Sequence, residues 1–295
     1  MGKQLYIKDI GANGIYLPDK LKIDLDILLD DVIESEMDLV IIIDGKEGSG
    51  KSYDGRLIAS YCAWVLNTKF DVDNIQFSTD KYIEYSENHP KFTVNVLDES
   101  RQALNKRRGM SKSNVKFTNW ISENRDKQQV HIIILPAIHD LESYVSNWRM
   151  RLLIHKLVGH VHSDTSRSGY KMLRGYFKVF ENNKNLQQVI HNKLKYGSYS
   201  YPKICKYMRK FKFEEVFTND QLKRYKDKKT KERAEKYKND TKKETGKYQK
   251  LLYNLNKSKR ISQEELSRLA GLSSTRIGEH IRGYQQFLTT TENNT

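Results

Sequence analysis

Val40-Ile41-Ile42-Ile43-Asp44-Gly45-Lys46-Glu47-Gly48-Ser49-Gly50-Lys51-Ser52 is the stretch whose reading decides the fold. Val40 to Ile43 is a continuous run of β-branched apolar residues, the pattern of a strand buried on both faces of a parallel sheet. It empties into Gly45 to Ser52, which fits the G-x-x-x-x-G-K-[ST] spacing of a phosphate-binding loop. In such a loop successive backbone N–H groups converge on phosphate oxygens, and side chains at the glycines would hold the backbone away. Lys51 is placed to reach the β- and γ-phosphates of ATP, and the Ser52 hydroxyl to hold Mg²⁺. Leu57, Ile58, Tyr61, Cys62, Val65 and Leu66 then keep a helical stripe, so the motif has its strand–loop–helix setting, and the helix N-terminus adds its dipole. Gly45, Lys46, Glu47, Gly48, Ser49, Gly50, Lys51, Ser52 and Tyr53 are therefore the candidate nucleotide-binding residues. A glycine-rich turn that merely contains Gly-Lys-Ser is the competing reading, and the flanking pattern weighs against it.

The chain has 295 residues, enough for one α/β domain and a smaller appendage. It has no apolar run of about eighteen residues and no signal-peptide core, so a protein of the cytoplasm with no membrane partner is expected. Cys62 and Cys205 are too few and too far apart for a disulfide framework or a zinc site. Any metal would arrive with the nucleotide. The net charge of +15 is unevenly placed: residues 183–260 hold 24 Lys and Arg against 8 Asp and Glu, while residues 1–182 balance at 25 against 25. A basic segment of this kind suits contact with a nucleic-acid backbone, and a solvated linker has the same composition.

Along the chain, residues 1–37 read as a lead-in segment, with short strands at Tyr6-Ile7 and Gly14-Ile15-Tyr16 and an amphipathic helix over Leu25–Ile33. After the first long helix come a short strand at Ile75-Gln76-Phe77 and a helix from Thr79 to Ser86, capped by Ser78 or Thr79. Phe92 to Leu97 is a second β-branched run, and it ends in Asp98-Glu99. A carboxylate at the end of a buried strand beside a phosphate loop can hold the water shell of Mg²⁺, the role assigned to Asp98. Glu99 is placed to polarise the attacking water as general base. Arg101 to Ser113 reads as a basic loop, followed by a helix capped at Asn114. Val130 to Leu135 is the third strongly apolar strand. A short helix to Asn147 follows it, then an apolar run from Leu152 to Val158, and last an antiparallel edge strand over Tyr176–Phe180. His160 and His162 share a spacing of two, which is not a metal site.

With these residues in hand the chain resembles RecA-like ATPases of the additional-strand class, and within them the FtsK/HerA-type group that includes viral genome-packaging and zonula-occludens-toxin-like ATPases. The resemblance rests on Gly45 to Ser52, on Leu97-Asp98-Glu99, and on the passage from Arg125 through His131-Ile132-Ile133-Ile134 to Asn147 and Arg149. It implies an ATP site completed by an arginine from a neighbouring subunit of a ring or other homo-oligomer. By position Arg125, Arg149 and Arg151 are the candidates, with Arg149 preferred. Members usually carry a polar sensor at the end of the fourth strand, where this chain has Leu135-Pro136-Ala137. His139, Asn147 or a residue of another loop would have to take that role.

Residues 183–250 read as a basic linker or arm, with Tyr196, Tyr199, Tyr201 and Tyr207 interleaved with lysines. Residues 251–286 resemble a helix-turn-helix module: Ser262 caps the first helix with Glu265 three residues on, Ser267 lets the helices cross, Gly271 supplies the turn and Ile277 packs the second helix. Ser274, Thr275, Arg276, Glu279 and Arg282 would then face DNA in a major groove. Residues 287–295 read as a tail.

The expected fold class is α/β: a RecA-like P-loop NTPase core with a mainly parallel sheet over residues 38–182, plus a small all-α C-terminal domain. The expected function is a DNA-associated ATPase of a virus or mobile element that translocates or packages DNA, with ATP and Mg²⁺ as cofactors. An ATP-controlled switch in replication or transcription is the alternative, and a P-loop kinase a more distant one.

Overall fold

The computed structural model describes residues 3–98, 112–165, 167–188, 190, 201, 205–212, 215–257 and 262–292, the side chains of 112–114, 236–248 and 287–292 excepted. Glu99, the basic loop through Ser111, Tyr196 and Tyr199 lie outside these residues.

The chain divides into two compact units, Met1–Lys228 and Lys229–Thr295. The first opens with an antiparallel hairpin, β1 (Gln4–Ile7) and β2 (Ile15–Pro18), that feeds α1 (Asp19–Glu34). Helical spacing buries Leu21, Leu25, Leu29 and Val32 along one face of α1. These side chains join Ile10, Ile15 and Leu17 in the main core, so the first 37 residues are part of the domain rather than a lead-in to it.

At the centre of a seven-stranded sheet runs β3 (Leu39–Gly45), buried along its whole length. Its neighbours are β6 (Val130–Ile134) and β7 (Met150–Lys156), both parallel to it. Beyond β6 lie β5 (Val94–Leu97) and then β4 (Ile75–Gln76), also parallel. The unbroken apolar runs are explained by burial on both faces. Leu39, Ile41 and Ile43 face a core shared with α1 and α2 (Lys51–Val65). Val40 and Ile42 face a second core built with Tyr82 and Ile83 of α3 (Thr79–Glu87) and Phe117 and Ile121 of α4 (Lys112–Glu123). The strand order β7-β3-β6-β5-β4 places one strand, β6, between the strand that enters the glycine-rich loop and the strand that ends at Asp98. That inserted strand defines the additional-strand arrangement of P-loop proteins.

Several expectations meet corrections here. The strand β10 (Tyr176–Glu181) is antiparallel to β7 as anticipated, but it is not the edge: β11 (Tyr207–Lys210) pairs outside it. The core therefore continues well past residue 182. Phe211 is fully buried and stacks on Phe177 with centroids 4.3 Å apart, and Val216, Phe217 and Tyr225 join the same core. Two basic residues of this stretch pair with acids of the first unit: Lys206 bonds Asp24 at 2.8 Å and also Glu181, and Arg224 bonds Asp71 at 2.9 Å. Charge composition concealed this, because the apolar residues are few and scattered among charged ones. The helix α4 covers Lys112–Glu123, so Asn114, the expected cap, lies within it. A 3₁₀ turn (Ile138–Asp140) and a π-helical turn (Val145–Arg149) replace the short helix expected before β7. His160 and His162 fall on β8 (Gly159–His162), which among the described residues pairs with β9 (Tyr170–Leu173) alone, in an exposed hairpin. Among the described residues no group of three His, Cys, Asp or Glu is arranged for a metal, and no helix is long and apolar enough to cross a membrane.

The helix α5 (Asn219–Lys257) begins in the first unit and contains the boundary between the two. In the second unit α6 (Gln263–Ala270) and α7 (Ser274–Glu292) pack through Leu266, Ile277 and Ile281 on Leu252. The Ser262 hydroxyl accepts from the Glu265 N–H at 3.2 Å at the start of α6. Gly271 ends α6 at φ +63°, in the left-handed region.

Candidate nucleotide site

The parallel strands β3, β5 and β6 all point their carboxyl ends at one edge, where open α/β sheets bind ligands. The loop from Gly45 to Gly50 leaves β3 at that edge and becomes α2 at Lys51. Gly45 and Gly48 both have positive φ, +132° and +74°. A Cβ on Gly45 would sit 2.5 Å from the Lys156 carbonyl, whereas one on Gly48 would meet nothing within 4 Å. The first glycine is thus required by the neighbouring strand, and the second by its left-handed backbone rather than by crowding. The Lys51 ammonium donates to the carbonyls of Gly45 at 2.7 Å and Lys46 at 2.9 Å, which holds it across the mouth of the loop.

Opposite the loop, Asp98 follows β5 and is almost fully buried. Its N–H donates to the Gln76 carbonyl at 2.8 Å. The Ser52 hydroxyl donates to Asp98 Oδ1 at 3.1 Å, so a hydroxyl from α2 and a carboxylate from β5, 46 positions apart, meet at one point. This pair of hard oxygen donors fits Mg²⁺, which takes one or two protein oxygens and fills the rest of its octahedron with water and phosphate. The other carboxylate oxygen, Oδ2, accepts from the Tyr225 hydroxyl of α5 at 2.7 Å. Sequence spacing gave no hint of this partner, which comes from the stretch read as an arm.

Two buried networks support the loop from below. Asp44, the last side chain before Gly45, is fully buried and accepts from the Ile138 N–H at 2.7 Å, from His155 Nδ1 at 2.8 Å and from the Tyr201 hydroxyl. Burial, with the Asp44 charge beside it, pushes the Tyr201 phenol well above its ordinary range. This network ties the segment after β6 to the foot of the loop. His139, a sensor candidate, lies in that segment, with its ring 5.2 Å from the Tyr201 ring. Asn147, the other candidate, lies ahead of β7 at the opposite edge. The second network pairs Lys156, at the end of β7, with Asp54 of α2, both fully buried. Burial pushes the Asp54 carboxyl up to about 7 and holds Lys156 below its ordinary range.

Two of the three arginine candidates are engaged in ion pairs within the chain. Arg149 and Arg151 stand at the start of β7, at the amino edge of the sheet, about 20 Å of strand away from the loop. Arg149 is 6% exposed and its guanidinium is bonded to Asp38 of its own chain. Burial pushes the Asp38 carboxyl up while Arg149 pulls it back. Arg151 bonds Asp31 of α1 at 2.7 Å and is likewise committed within the chain. Arg125, also at the amino edge, is exposed. In the second unit Ser274, Thr275, Arg276, Glu279 and Arg282 are all exposed.

No protein-family model matches the sequence, and no curated protein does. Among solved structures, the genome packaging NTPase B204 of Sulfolobus turreted icosahedral virus 2 in complex with ATP-gammaS aligns at 17% identity and a TM-score of 0.33, covering 50% of this chain and 93% of that one. The DNA-packaging ATPase B204 of Sulfolobus turreted icosahedral virus aligns at 15% identity and 0.32, covering 50% and 94%. The N-terminal domain of zonular occludens toxin from Neisseria meningitidis aligns at 13% identity and 0.35, covering 60% and 95%. At these scores the alignments carry no weight of their own. The class rests on the strand order and the loop: the first unit has the α/β fold of an additional-strand P-loop NTPase.

Proposed function

We propose that this protein is a Mg²⁺-dependent ATPase that works on DNA as one subunit of an oligomer, in translocation or genome packaging. The observation that supports it most is the meeting of Ser52, next to Lys51 of the loop, with Asp98 at the carboxyl edge, with β6 inserted between β3 and β5. Bound Mg²⁺ would neutralise charge on the β- and γ-phosphate oxygens. Lys51 and the loop amides orient the phosphates, and Ser52 and Asp98 hold the metal's ligand sphere. Glu99, next in sequence to Asp98, is the residue for activating water. With Arg149 and Arg151 held in ion pairs, Arg125 is the remaining candidate for an arginine supplied across a subunit boundary.

The paired helices α6 and α7, with polar residues exposed on α7, favour a second reading in which ATP controls assembly and this module selects a DNA site. Steady-state phosphate release on linear duplex DNA of increasing length separates the two. A motor shows turnover that rises with DNA length and is abolished by Glu99→Gln; turnover indifferent to length, with tight site-specific binding, belongs to the switch.

A further inference from the structure

Tyr225 belongs to none of the elements that make the phosphate loop or the Asp98 strand. Its ring is nevertheless buried beside them, 5.7 Å from the Phe77 ring between centroids, and its hydroxyl donates to Asp98 Oδ2 at 2.7 Å. The Arg56 guanidinium of α2 lies 4.8 Å from the centroid of the same ring. Arg56 is itself gripped by Glu215 through two bonds of 2.8 and 3.3 Å. The phenol is therefore fixed on both sides, by a strand partner and by the helix that follows the phosphate loop.

The terminal torsion of an aspartate is broad and roughly two-fold, so nothing in the side chain itself selects which oxygen faces the metal. In Asp98 the two oxygens have different donors: Ser52 from α2 on Oδ1 and Tyr225 from α5 on Oδ2. We propose that Tyr225 is the positioning residue for Asp98. By holding Oδ2 it turns Oδ1 toward Ser52, where the water shell of Mg²⁺ would sit, and so makes the metal-dependent part of nucleotide binding depend on the segment 215–225. This rests on the reading of the site as a Mg²⁺–nucleotide site and adds the residue that orients it. Outer partners of this kind typically contribute ten- to a hundredfold to metal affinity.

The test is binding of a fluorescent mant-ADP to the full chain, with Mg²⁺ and with EDTA, read as the ratio of the two dissociation constants. Tyr225→Phe keeps the ring and removes the hydroxyl. It is expected to lower that ratio by about tenfold while leaving the EDTA constant within twofold of wild type. Glu215→Gln keeps the phenol, loosens the Arg56 grip and leaves the Phe217 N–H an acceptor oxygen, and is expected to lower the ratio by less than threefold. A Tyr225→Phe chain that retains the wild-type ratio, or that loses affinity equally with Mg²⁺ and with EDTA, overturns the positioning role. A wild-type chain whose mant-ADP affinity ignores Mg²⁺ overturns the site reading itself, and the role of Tyr225 with it.

Discussion

Replacing Phe211 by Ala tests whether the chain beyond residue 182 is core or arm. Phe211 is fully buried, stacks on Phe177 at 4.3 Å and lies 4.9 Å from the Lys156 ammonium. Losing the burial of a phenylalanine ring costs about 2–3 kcal/mol in transfer alone. The aromatic pair adds about 1 kcal/mol, and the cavity left behind costs about 24 cal/mol for each Å³ that does not collapse. The sum is about 4 kcal/mol, a large part of the stability of a domain. Trp64, Trp120 and Trp148 are the chain's three tryptophans and all lie in the first unit, so urea denaturation followed by tryptophan fluorescence reports that unit alone. Phe211→Ala should lower its unfolding free energy by about 4 kcal/mol, and Phe211→Leu, which keeps most of the volume, by about 1.5 kcal/mol or less. A loss below about 1 kcal/mol for the alanine variant would refute the reasoning, because surface positions behave that way and buried rings do not.

Three further outcomes are expected. Arg149→Met leaves the Asp38 carboxylate buried and unpaired, and should destabilise the first unit by about 3–5 kcal/mol in the same urea assay; unchanged stability with lost turnover would restore Arg149 as an arginine finger. Burial lowers the His131 pKa to about 3 from an ordinary 6.5, so the unfolded chain binds a proton there that the folded chain does not. Stability is complete above pH 6.5 and falls as the pH drops toward 3, by about 2 kcal/mol at pH 5. His131→Gln should show a shallower pH dependence by that amount, and equal slopes would contradict the burial. In the second unit, Ser262→Ala removes the bond to the Glu265 N–H and should cost about 1 kcal/mol in helix stability, read by circular dichroism melting.

The parts legible in the sequence are those set by local pattern. Val40 to Ser52 combines a buried-strand run with a glycine spacing that few structures satisfy, so the strand, loop and helix could be placed to within a residue or two. The runs Val130–Ile134 and Val94–Leu97 were readable for the same reason. Partnerships between distant residues were not legible. Tyr225 and Asp98 are 127 positions apart, and Arg149 and Asp38 are 111 apart. Arg149 looks like any surface arginine until the turn before β7 directs it inward. The stretch from Lys206 to Lys228 shows the limit most clearly. Its apolar residues, Tyr207, Phe211, Val216, Phe217 and Tyr225, follow no single period because they lie on a strand, a loop and a helix in turn. Net charge was the only continuous signal there, and charge describes the solvent face, not the buried one.

The most direct measurement is phosphate release from ATP by the purified chain, with Mg²⁺ and with EDTA, beside Lys51→Ala. The account predicts turnover that requires Mg²⁺ and falls at least a hundredfold in the variant, since Lys51 stabilises charge that develops on the transferred phosphoryl group. Turnover that persists in EDTA, or that Lys51→Ala retains, would contradict it.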